Sequence, residues 1–243
     1  MKRISERQLD LLQAGRNDFE FQVRPSNRAR RMSVSVTAHG IVEVVVPQRT
    51  RPKRVAEFVG KHRGWIDAAL AEFAVSGVRP EREMPDTIEL PATGERFDVV
   101  YDAPRTRVAN GKLRIAARRE DRERCRAEFR KWLQKKARAV LEPWLVSLSE
   151  RTGLRYQRLQ IRAQRTRWGS YSSRGTLSLN LCLLFVSPPL VEQVLLHELC
   201  HTRHMNHSKS FWRLVARHAP DFREHERALN EGWRTVPYWL GLH

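Results

Sequence analysis

The chain has 243 residues, 41% of them hydrophobic, enough to bury the core of one large domain or two small ones. Charged residues make up 30% and mean hydropathy is −0.58, and no run approaches the roughly 18–20 apolar residues of a membrane helix. Net charge is +18, carried by 37 arginines and 8 lysines in dispersed short runs. Such a field is compatible with a nucleic-acid or nucleotide partner, but it speaks to association rather than to fold or chemistry. Cys125, Cys182 and Cys200 are odd in number and widely spaced, which excludes a disulfide framework. With no apolar leader in M-K-R-I-S-E-R-Q-L-D, the expected compartment is a reducing cytoplasm.

In chain order, residues 1–17 read as a helical or loose lead. Met32, Val34 and Val36 alternate with polar residues as a half-buried strand does, His39-Gly40 is a turn, and Ile41 to Val46 is the returning strand. Val55, Phe58, Val59, Ile66, Ala69, Leu70 and Phe73 recur as one amphipathic helix. Residues 76–85, with Gly77, Pro80 and Pro85, read as a linker. The expected domains are therefore 1–85, a β-hairpin and helix, and 86–243.

The second domain opens with a strand over Phe97–Tyr101 and a hairpin turning at Asn110-Gly111. A long helix is expected from Arg122 to about Thr152, kinked or split at Pro143 and stopped by Gly153. Two strands follow within 156–183, with Leu159, Ile161 and Ala163 alternating in the first and Leu177 and Leu179 in the second. Ser172 to Gly175 forms their turn. The free edge of such a strand can pair with an extended peptide, or it can be an ordinary covered edge.

Ser187 and Pro188 then start a helix that carries Val191, Val194, Leu195 and Leu199 at helical spacing. It runs into H-E-L-C-H-T-R-H-M-N-H, residues 197–207. His197 and His201, four apart, share one helix face and suit a common metal ion. Glu198 is offset by one residue, where its carboxylate reaches a metal-bound water rather than the metal. The third ligand is His207 or His204. Asn206 enters the left-handed region easily and can swing His207 back, with Ser208 capping the next helix. Phe211 and Trp212 read as core packing. Tyr171, His204, His225 and Tyr238 are unranked oxyanion donors, and Asp221 or Glu224 can orient a ligand histidine.

T-R-W-G-S-Y-S-S-R-G-T-L-S-L-N (Thr166 to Asn180), H-E-L-C-H and N-H-S-K-S-F-W (Asn206 to Trp212) together resemble the YgjP-like metallopeptidases, SprT-like proteins of the zincin type. The resemblance spans about residues 20–240. It implies an α+β fold with a minimal zincin-like core: a small sheet over the H-E-x-x-H helix, closed by C-terminal helices. It carries over His197, His201 and His207 as zinc ligands and Glu198 as the catalytic glutamate. Arg167, Trp168, Gly169, Ser170 and Tyr171 are expected to contact substrate. Tyr171 stands where the family commonly has cysteine, which puts any role of that cysteine in doubt here.

The expected activity is zinc-dependent hydrolysis of a peptide or protein substrate. The alternatives are a metal-dependent nucleotide phosphoanhydride hydrolase, a DNA-associated SprT-like protease, and a binding module with a structural zinc. The general base at Glu198 argues against the last.

Overall fold

The computed structural model describes residues 21–27, 29–37, 40–75 and 83–242, without the side chains of 72–75. The lead over 1–17 and most of the 76–85 linker lie outside the described residues. The chain divides into two compact units, with the break between Pro80 and Glu81.

Among the described residues, the first unit is a three-stranded sheet with two helices. Strand β1 (Phe21–Ser26) pairs parallel with β3 (Val42–Pro47), and β2 (Ser33–Val36) pairs antiparallel with β3 on its other side. Val42, Val44 and Val46 alternate inward along the central strand and are fully buried. They meet Val55 and Val59 of α1 (Pro52–Lys61) and Ile66 of α2 (Arg63–Val75) in one cluster. The apolar period read as one helix is thus two. The break falls at His62, between Gly60 and Gly64, where His62 Nδ1 turns back to the Phe58 carbonyl at 2.8 Å. Glycines weaken a helix at such a point.

The second unit begins with a four-stranded sheet in the order β4-β5-β7-β6: β4 (Thr87–Leu90), β5 (Glu95–Val100), β6 (Arg107–Ala109) and β7 (Lys112–Arg114). Asn110 and Gly111 take φ of 53° and 70°, as a two-residue turn of the expected type requires. Helix α3 (Arg122–Thr152) starts at Asp121, whose carboxylate accepts from Arg124 N, and ends at Gly153 in the left-handed region. It buries Cys125, Phe129, Leu133, Ala137, Leu141, Leu145 and Leu148 along one stripe. Pro143 does not split it. The proline and the Ala139 carbonyl it leaves free both lie on the exposed face, where water can serve that carbonyl.

A third sheet carries the site. Its order is β8 (Arg158–Arg162), β10 (Thr176–Asn180), β9 (Gly169–Tyr171). The two strands expected here are β8 and β10, and they run parallel. The hairpin is made instead by β9, a three-residue strand with no alternation of its own to read. Gly175 closes its turn at φ 75°, and a Cβ there would lie 2.5 Å from the Gln157 side chain. β10 passes into a buried 3-10 turn (Leu181–Phe185) and then into α4 (Pro188–Cys200). Helices α5 (Lys209–His218) and α6 (Phe222–Gly232) follow. Among the described residues no helix is long and apolar enough to cross a membrane, and all three cysteines are free and buried.

Candidate metal centre and active-site cleft

Helix α4 is buried almost all round. Val191, Leu195, Leu196, Leu199 and Cys200 are 2% exposed or less. A helix apolar on every side belongs in a core, so its polar residues sit where the core opens. Ser187 occupies the N-cap position with extended backbone but makes no side-chain cap bond, and Pro188 holds the first turn. The helix ends at Cys200. The chain then tightens, with Thr202 N–H donating to Leu199 O and both Arg203 and His204 N–H to Cys200 O.

This tightening, rather than Asn206, returns the chain toward α4. Among the described residues only Asp102 and Asn110 are non-glycines with positive φ, so the left-handed turn expected at Asn206 does not form. Ser208 then caps α5, its hydroxyl accepting from Phe211 N. The result brings His207 to His197, with their Nε2 atoms 3.0 Å apart. One nitrogen from each of His197, His201 and His207 lies within 4.8 Å of the others. Three donors at about 2.1 Å from a tetrahedral metal would sit about 3.4 Å apart, so the set fits an ion with small adjustment. His204 is outside the cluster. Its backbone carbonyl instead lies 2.9 Å from His201 Nδ1, which fixes the His201 tautomer with Nε2 free.

Burial, with His201 and His207 beside it, pushes His197 down to about 3, and burial also lowers His201. Both rings are therefore neutral and can offer lone pairs. His197 Nδ1 lies 3.4 Å from Glu226 Oε1 on α6. Neither Asp221 nor Glu224 takes that place: Asp221 is the N-cap position of α6 and Glu224 lies in its exposed first turn. Glu226 has no local sequence signal, since only the packing of α6 on α4 brings it in. Phe211, fully buried, stacks on His201 at 4.5 Å, and Trp212 stacks on His207 at 5.5 Å.

Glu198 is 6% exposed, and its Oε2 has no hydrogen-bond partner in the protein. Burial pushes its carboxyl up to about 8, against a smaller opposing pull from Arg167. The carboxylate packs under β9. A Cβ on Gly169 would lie 2.7 Å from both Glu198 Cγ and Oε1, so this position accepts only glycine with Glu198 where it stands.

The segment that presents Gly169 is pinned at both ends. Asn180, fully buried, donates from Nδ2 to the carbonyls of Gln164 and Arg167 and accepts from Cys182 N–H at Oδ1. Trp168 donates from Nε1 to Leu229 O at 3.1 Å and stacks on Trp233 at 4.2 Å.

A cleft of about 550 Å³ opens over these groups. Its walls include Arg167, Trp168 and Gly169 of the expected substrate segment, with His197, Glu198 and His207. Ser170 and Tyr171 are not on the wall, and Tyr171 packs against the core. His204, His225 and Tyr238 do not line it either. Gln193, Glu226 and Asn230 do, and sequence reading had missed all three.

Residues 30–232 match the family model described as YgjP-like, metallopeptidase domain. No curated protein matches the chain. Among solved structures, the crystal structure of the metallopeptidase zymogen of Pyrococcus abyssi abylysin matches at 26% identity and a TM-score of 0.34, over 36% of this chain and 90% of that one.

Proposed function

The chain belongs to the YgjP-like metallopeptidase family, and on that premise we propose that it hydrolyses peptide bonds with a zinc ion held by His197, His201 and His207. When bound, zinc lowers the pKa of a coordinated water and polarises the scissile carbonyl. Glu198 is the general base: the charge of a bound cation would hold its carboxyl ionised against the effect of burial, and it takes the water's proton and passes it to the leaving amine. The observation that carries this reading is a buried carboxyl group, one of its oxygens unbonded, beside three clustered imidazoles, two of which line the same cleft. A structural metal site has no use for such a carboxylate.

The strand ladder supports a place for the substrate in this proposal. Asn180 N–H donates to Trp168 O and Ser172 N–H to Thr176 O. Bonded pairs alternate along an antiparallel ladder, so the backbone N–H and C=O of Gly169 and Tyr171 point away from β10. No described strand covers that edge. An extended substrate can add there beside Glu198. Residues 86–243 form the catalytic domain in this proposal, with 1–85 appended to it, in the cytoplasm.

Glu198→Gln tests the reading. It should keep its metal by elemental analysis and lose about a hundredfold to ten-thousandfold in peptide hydrolysis; full activity would overturn the role. Running the same assay with nucleotides as substrate checks for phosphoanhydride hydrolysis. Running it with duplex DNA at two salt concentrations reads whether the +18 charge recruits nucleic acid, since such binding falls steeply with salt.

A further inference from the structure

Gln193 is the buried group that this chemistry leaves unused. It is 2% exposed, and neither Oε1 nor Nε2 has a hydrogen-bond partner in the protein. Leaving both ends of a carboxamide unbonded in a core is costly, whereas an apolar side chain of the same shape would cost nothing of the kind. Val194 and Leu229 line the same cleft, as do the polar Arg167, Glu226 and Asn230, but none of these bonds the Gln193 amide.

Position says what the amide is for. Gln193 stands one helical turn before His197, on the same face of α4, and lines the same cleft as His197 and Glu198. It is thus beside the reacting centre and outside the metal cluster. A carboxamide offers one acceptor and a pair of donors and carries no charge. Its best complement is another amide, which can donate to the oxygen and accept from the nitrogen at once, whereas a hydroxyl has one oxygen for both. The cleft, at about 550 Å³, has room for a substrate side chain beside the scissile bond.

We infer that Gln193 is a specificity-determining residue of the cleft, satisfied when it pairs with an amide of the substrate. The amide is the side chain of asparagine or glutamine, or a main-chain peptide group. The assignment rests on the peptidase reading above. A site built to hydrogen-bond a substrate group rejects an analogue that lacks it, because its own buried polar atoms stay unpaired.

The test uses the full-length, metal-loaded protein and its Gln193→Leu variant. Both are assayed on a positional peptide library and on one cleaved peptide methylated in turn at each main-chain nitrogen. Wild type should discriminate by about tenfold to a hundredfold in kcat/KM, at one side-chain position or at one methylated nitrogen, the cost of one buried group left unpaired. The first result locates the amide in a side chain, the second in the main chain. Gln193→Leu should lose that discrimination, keep its metal, and melt a few degrees higher without substrate. Identical profiles for the two proteins overturn the assignment. So does a variant that melts lower and loses activity evenly across substrates, which would mark Gln193 as structural. A wild type that cleaves no peptide overturns the peptidase reading itself, and this assignment with it.

Discussion

The two units of the molecule bury different chemistry. The core of the first is wholly apolar: Phe21, Val42, Val44, Val46, Val55, Val59 and Ile66. Every buried polar side chain among the described residues belongs to the second: Ser149, Ser178, Asn180, Gln193, Glu198 and His201. That group divides again. Ser149 donates to Leu154 O at 2.6 Å, and Asn180 bonds four backbone groups, so these residues hold chain segments in place. Gln193 and Glu198 Oε2 bond nothing in the protein. Apart from His201, whose ring is held by His204 O, the bonded groups, Ser149 and Asn180, hold architecture, and the two unbonded ones line the cleft.

Asn180→Leu attacks the satisfied side of that division and should have the largest effect. Leucine matches the volume but leaves Gln164 O, Arg167 O and Cys182 N–H without their partner. Breaking a buried network of this kind should cost about 3 kcal/mol. In a unit of this size that is a fall of roughly 10 °C in melting temperature. A variant that melts like wild type would remove the architectural half of the comparison.

Gly169→Ala sharpens the other half. The new methyl would meet Glu198 Cγ and Oε1 at 2.7 Å, so the carboxylate has to move. A displacement of about 1 Å at a reacting group can cost about a hundredfold in rate. The expected result is kcat/KM lowered by about that factor, with metal content unchanged and melting temperature little altered. Unchanged kcat/KM would show that the position of Glu198 under β9 does not matter to the reaction. The variant also separates two readings of the R-W-G-S segment: a contact with substrate, or a gap shaped for the base.

Local chemistry was legible in the sequence and long-range placement was not. Asn110-Gly111, Gly153 and Ser208 were readable because each meets a backbone requirement within a few residues. The histidine spacing was readable for the same reason, since a helix converts i and i+4 into one face. β1 escaped because its partner β3 lies some twenty residues on, and Pro25 within it looks like a strand breaker. β9 is too short to alternate, so the parallel pairing of β8 with β10 read as a hairpin. Gln193 carries no signal, because the sequence does not reveal that α4 is covered almost all round. Glu226 carries no signal at all, being one acidic residue on a helix that is mostly exposed.

Trp168→Phe probes the smallest contribution, the bond that joins the cleft segment to α6. Trp168 Nε1 donates to Leu229 O, one of the last four carbonyls of α6, where a helix leaves acceptors open to side-chain donors. Phenylalanine keeps an aromatic face toward Trp233 and removes only the donor. The cost should be about 1 kcal/mol, a drop of roughly 2–4 °C in melting temperature. Because Asn180 still pins the other end of the segment through Arg167 O, Gly169 and Glu198 should stay in register and kcat/KM should hold within about threefold. A hundredfold loss would mean that the indole itself meets the substrate, and that the satisfied groups of this unit are not confined to architecture.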